Sequence, residues 1–126
     1  EGKLDALRNA IVNIAQGQAP EDTLQHIFLD LVDSFTELHL RILKIFQKPL
    51  SPPNILMGNL SLVLEHIIPE LRGHDELYDQ IWKDLYSRGL VNTDGLNGIM
   101  SVHGLTQKRT SSLGDSFIRF IEKRNS

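Results

Sequence analysis

The sequence predicts a mainly α-helical fold of five to six helices, and three observations do so. Apolar residues recur at three- and four-residue steps through successive stretches of the 126-residue chain. Gly and Pro punctuate the chain between those stretches. Helical spacing lapses over residues 92–112, where Gly, Asn, Ser and Thr predict turns and a short or irregular hairpin.

The first stretch, KLDALRNAIVNIAQG, carries Leu4, Leu7, Ile11 and Ile14 at alternating steps, one apolar seam of a helix. Such a seam is expected to pack on its own domain. The alternative is self-association through the same four residues, as in a short coiled coil. Gly17 and Pro20 end this helix, and Pro20 suits the first turn of the next. In PEDTLQHIFLDLVDSF, Leu24, Ile27, Phe28, Leu31, Val32 and Phe35 form a stripe, with Glu21 and Asp22 complementing the helix dipole. Residues 1–35 thus read as a helical pair.

Thr36 restarts the pattern, and ELHLRILKIF has so broad an apolar arc that a central, multiply covered helix is expected. Thr36 with His39 is not expected to form a capping box, because His stands where Glu or Gln would. Pro49, Pro52 and Pro53 then impose a loop whose Ile55, Leu56 and Met57 either tuck under the fold or form a small exposed patch, the first being expected. NLSLVLEHIIPELRG resumes helical spacing, and Pro69 either kinks it or opens a separate turn.

In DELYDQIWKDLYSRGLV, Leu77, Tyr78, Ile81, Trp82 and Leu85 share a face, and Gly89 stands where a C-cap glycine belongs. Leu96, Ile99 and Met100 read either as strand or as one helical turn. In the last helix Leu113, Phe117, Phe120 and Ile121 face inward, with Ser111 or Ser112 as N-cap.

The order from residue 36 onward resembles a winged-helix domain. In that family a third helix ends in Leu-x-x-x-Gly-Leu-Ile/Val, and a wing leads through a Thr-x-x-Gly-like element into a final helix. Leu85, Gly89, Leu90 and Val91 match the first pattern; Thr110, Leu113, Gly114 and Phe117 match the second. The resemblance implies one domain over 1–126, with a winged-helix-like core at 36–124 and the helical pair 1–35 added. It places the chain beside bacterial helical winged-helix proteins of uncharacterised role.

Charge departs from the DNA-binding members of that family. Residues 1–82 hold six Lys/Arg against twelve Asp/Glu, a balance of −6, and residues 83–126 hold seven against four, or +3. The helix that would enter a major groove presents Asp75, Glu76, Asp79 and Asp84 against Lys83 and Arg88. Phosphate repels such a face, since duplex affinity rests on cations that release counterions. Asp75, Glu76, Asp79 and Lys83 instead form a candidate partner-binding face. Nucleic-acid or anion contact would fall to Lys108, Arg109, Arg119, Lys123 and Arg124.

Catalytic patterns are missing from the sequence. The chain has no Cys, its five His show no paired spacing for a metal, and no Gly-x-Ser-x-Gly elbow or phosphate loop occurs. No cofactor is expected. Forty per cent hydrophobic and 23% charged residues suit a soluble globular domain, and no apolar run reaches the ~20 residues of a membrane span. The opening EGKLDALRNA has neither initiator Met nor signal-peptide regions, so the chain reads as part of a longer protein whose preceding segment could hold an activity, an anchor or a targeting signal. The lack of Cys fits a reducing, cytoplasmic setting. The expected function is a non-enzymatic module for contact with a protein partner or with itself as a homodimer. A DNA-binding regulator acting through the basic C-terminal third is the alternative, and an accessory substrate-binding domain is a third reading.

Overall fold

Local chemistry sets the helix boundaries. The computed structural model of the chain describes residues 2–123. It contains α1 (Lys3–Ala15), α2 (Asp22–Ser34), α3 (Glu37–Gln47), β1 (Met57–Gly58), α4 (Leu60–Ile67), a 3-10 turn (Pro69–Leu71), α5 (Asp75–Ser87), β2 (Met100–Ser101), α6 (Val102–Leu105) and α7 (Ser112–Ile121). The mainly helical expectation holds, with the four-residue α6 taking the count past six. Pro69 opens its own turn rather than kinking α4, because the ring lacks the N–H that would continue the ladder.

The start of α3 corrects the sequence reading. Thr36 Oγ1 accepts the His39 N–H at 3.3 Å, and His39 Nδ1 accepts the Thr36 N–H at 3.2 Å. A capping box is present after all. A backbone N–H can only donate, so Nδ1 carries no proton and Nε2 does; Nε2 donates to Asp84 on α5 at 2.8 Å. Asp84 thereby fixes the tautomer that lets an imidazole serve as a Glu oxygen would. The hydrogen bond from His39 also holds the Asp84 carboxyl below its ordinary value.

One core joins the N-terminal pair to the rest. Phe28 on α2 meets Phe117 and Phe120 on α7 at ring distances of 5.3 and 5.6 Å, and Phe46 on α3 meets Trp82 on α5 edge-on at 4.9 Å. Four of the five α5 residues expected inside are buried; Leu77, at the margin of that face, is exposed.

The two motifs that carry the winged-helix resemblance touch each other. Gly89, at φ 76°, closes α5 in a Schellman turn, with Gly89 N–H donating to Tyr86 O and Leu90 N–H to Leu85 O. Ser111 then docks α7 on that turn: its N–H donates to Leu90 O at 3.0 Å, its Oγ donates to Gly89 O at 2.6 Å, and its Oγ accepts the Gly114 N–H at 2.9 Å. Val91 bridges Thr110 antiparallel beside this joint.

Asp115, in the first turn of α7, ties three segments together. Its carboxylate accepts from Thr110 Oγ1 at 2.6 Å and Gln47 Nε2 at 3.2 Å, and pairs with Lys108. Burial pushes its pKa up, but the hydrogen bonds from Lys108, Thr110 and Gln47 outweigh burial and leave it below 3.8. A depressed folded pKa contributes stability that is present above the unfolded value and lost as pH falls through the folded one. Asp115→Asn is therefore expected to cost roughly 1–3 kcal/mol at pH 7 and to flatten stability below pH ~4. Urea unfolding at pH 7 and pH 3 checks this; an equal loss at both pH values would contradict it.

The short sheet joins two loops. Met57 pairs with Ser101 and Gly58 with Met100, antiparallel, so the strand after α5 returns to the loop before α4. Leu96 is buried, Ile99 is exposed, and the helical turn falls later, at Val102–Leu105. Against expectation, Leu56 and Met57 do not tuck under: they are 85% and 65% exposed, while Ile55 is half-buried. Gly58 takes the inward position of β1, where Leu62 and Leu105 lie, and the alternation turns Met57 out.

Candidate interaction surface

The main departure from sequence expectation is the direction that α1 faces. Its buried residues are Ala6, Ala10 and Asn13, whereas Leu4, Leu7 and Ile11 are 61%, 40% and 56% exposed. Ile14 alone of the predicted seam packs partly against the core. At 100° per residue the buried set lies roughly a third of a turn from the leucine seam. Seam and buried alanines together make one wide apolar arc, of which only one half is covered.

The reason lies at the far end of α7. A helix leaves its last carbonyls without intrahelical partners. Asn13 Nδ2 donates to Phe120 O at 2.9 Å and Glu122 O at 3.1 Å, and Asn9 Nδ2 donates to Ile121 O at 3.0 Å. Two amides one helical turn apart thus cap α7 in trans, and Ala6 and Ala10 beside them allow close approach. Turning the leucines inward would bury those carbonyls against hydrocarbon, at about 1–3 kcal/mol for each group left unpaired.

The outward half of α1 borders a groove of about 570 Å³ lined by Leu4, Leu7, Leu29 and Val32 together with Lys3 and Asp33. Lys3 Nζ donates to Asp33 O at 2.8 Å and braces α1 on α2. Ile27 on α2 is also exposed. Leu50, Leu56, Met57 and Ile99 are exposed in the two loops that supply or adjoin the sheet strands.

The charged candidates are dispersed. Asp75, Glu76 and Lys83 are exposed and Asp79 half-exposed; among the described residues none of the four side chains makes a hydrogen bond or ion pair with another. Asp84, counted with them in the sequence, turns instead to His39. Arg109 is part-buried and stitches its own loop, donating to Gly104 O at 2.5 Å and Thr93 Oγ1 at 3.2 Å, with its Nε buried and unpartnered. Lys108 is held by Asp115. Arg119 donates to Ser116 Oγ, Lys123 lies over the polar side of α1, and Arg124 is outside the described residues.

Sequence reasoning missed Asn9, Asn13, His39 and Asp84 as organising residues. Asn9 and Asn13, at i and i+4 beside Ala6 and Ala10, were the legible signal for a capping face. Among the described residues no cluster of three or more His, Cys, Asp or Glu is placed to hold a metal ion, and no helix is long and apolar enough to cross a membrane. The chain matches no family model, no curated protein and no solved structure.

Proposed function

We propose that this chain is a non-enzymatic interaction or regulatory module that meets another protein through the outer face of α1 and α2. One observation carries the reading: α1 turns its amide-and-alanine face inward and leaves Leu4, Leu7 and Ile11 in water beside an apolar groove. Contiguous exposed apolar surface of this kind marks association sites in soluble proteins. The winged-helix-like core over 36–124 is part of the proposal. It is supported by the order α3, β1, α4, α5, β2 and by the pairing of β1 with the strand after α5.

Groove reading by α5 has little support. Its free face is acidic, and of the basic residues that could approach phosphate, Lys108 and Arg109 are held within the chain. The discriminating experiment is fluorescence anisotropy of a labelled mixed-sequence duplex titrated at low and physiological salt. No binding at micromolar protein is expected in either condition. Micromolar binding that weakens steeply with salt would replace this proposal with a DNA-binding regulator.

A further inference from the structure

We infer that the occupant of the α1 face is a second copy of this chain, its α1 running antiparallel to the first across a two-fold axis that passes on the seam side, level with position 9 along the helix. The inference rests on the interaction reading above and names its partner. The steps between Leu4, Leu7, Ile11 and Ile14 are three, four and three residues, the same in both directions. Reversed about position 9, Leu7 of one copy meets Ile11 of the other, and Leu4 meets the part of Ile14 that its own core leaves uncovered. That is the isologous self-complementarity a two-fold contact requires, with the layer pairing of an antiparallel coiled coil.

Charge selects the antiparallel sense. Lys3 and Arg8 lie in the N-terminal half of α1, and its last turn has no basic residue. A parallel pair would set Lys3 beside Lys3, Arg8 beside Arg8 and the two helix dipoles side by side. The antiparallel pair sets the positive end of each helix against the cation-free, negative end of the other. Arg8 is also paired with Asp5 of its own helix at 3.0 Å, which limits repulsion where the copies cross.

Size sets the expected strength. Two 13-residue helices are each about 20 Å long and pack 8–10 Å apart, so the hairpin offers a face of roughly 400 Å² per copy. Twice that lies below the range of stable complexes, in the class of weak or transient ones. A micromolar association is expected rather than an obligate dimer, which agrees with a core that is already closed within one copy.

The test combines mass and register. Sedimentation equilibrium from micromolar to millimolar chain is expected to move from 14.3 kDa toward twice that mass, and Ile11→Gln is expected to abolish the shift with its circular dichroism unchanged. Because the chain has no Cys, single-cysteine variants report register directly. Mixed Leu4→Cys and Ile14→Cys chains, each first shown to be folded, are expected to form a heterodisulfide on mild oxidation. Either variant alone is expected to form little, since its two thiols would lie about 15 Å apart along the helices. Equal self-linking of Leu4→Cys alone would overturn the antiparallel arrangement. A constant 14.3 kDa mass with a well-folded Ile11→Gln chain would overturn the second copy as occupant and leave the interaction reading standing. Unfolding of Ile11→Gln would overturn both.

Discussion

Gly114→Ala is expected to lower unfolding free energy by about 3 kcal/mol. A Cβ built at Gly114 would lie 2.2 Å from Leu90 O and 3.1 Å from Leu90 C, both backbone atoms. No side-chain rotation relieves that contact, so α7 or the turn after α5 must shift. The shift would strain the Ser111 bonds to Gly89 O and Leu90 O and the packing of Phe117 on Phe28. The gain in helix propensity from Gly to Ala, about 1 kcal/mol, offsets only part of this. Gly98→Ala, where nothing lies within 4 Å, is the control and is expected to change stability by less than about 0.5 kcal/mol. Equal denaturant midpoints for the two variants would contradict the joint.

That joint was legible in outline. Gly89, Leu90 and Val91 stood out as a helix end, and Thr110, Leu113, Gly114 and Phe117 as the lead into a helix, because turn chemistry and capping are local in sequence. Their mutual contact was not, since nothing local specifies that a helical glycine will lie on a carbonyl 24 positions earlier. The His39 cap was not legible for a related reason. Whether an imidazole can accept depends on its tautomer, and here the tautomer is set by Asp84, 45 positions away. Arg109 shows the limit for charge: its sign is readable, but its partners Gly104 O and Thr93 Oγ1 belong to the fold of its loop.

Spacing located α1 and its apolar arc correctly, yet periodicity reports that an arc exists and not which half of it is covered. The partner of α1 is the C-terminal end of α7, which needs amide donors and a close approach more than it needs leucines. Asn9, Asn13, Ala6 and Ala10 meet that need, and the leucine half is left for another surface.

The orientation of α1 is the central claim, and a pair of substitutions at adjacent positions tests it. Ala10 is fully buried and Ile11 is 56% exposed. Ala10→Leu forces three extra carbons into the contact with α7 and is expected to cost about 2–3 kcal/mol. Ile11→Gln places a polar side chain in water and is expected to cost less than about 0.5 kcal/mol. Both are to be measured by urea unfolding at sub-micromolar chain, so that association does not add to apparent stability. The predicted result is a midpoint well below the parent for Ala10→Leu and near the parent for Ile11→Gln. The reverse order, with Ile11→Gln the damaging change, would place the leucine seam inside the fold and contradict both the interaction surface and the pairing built on it.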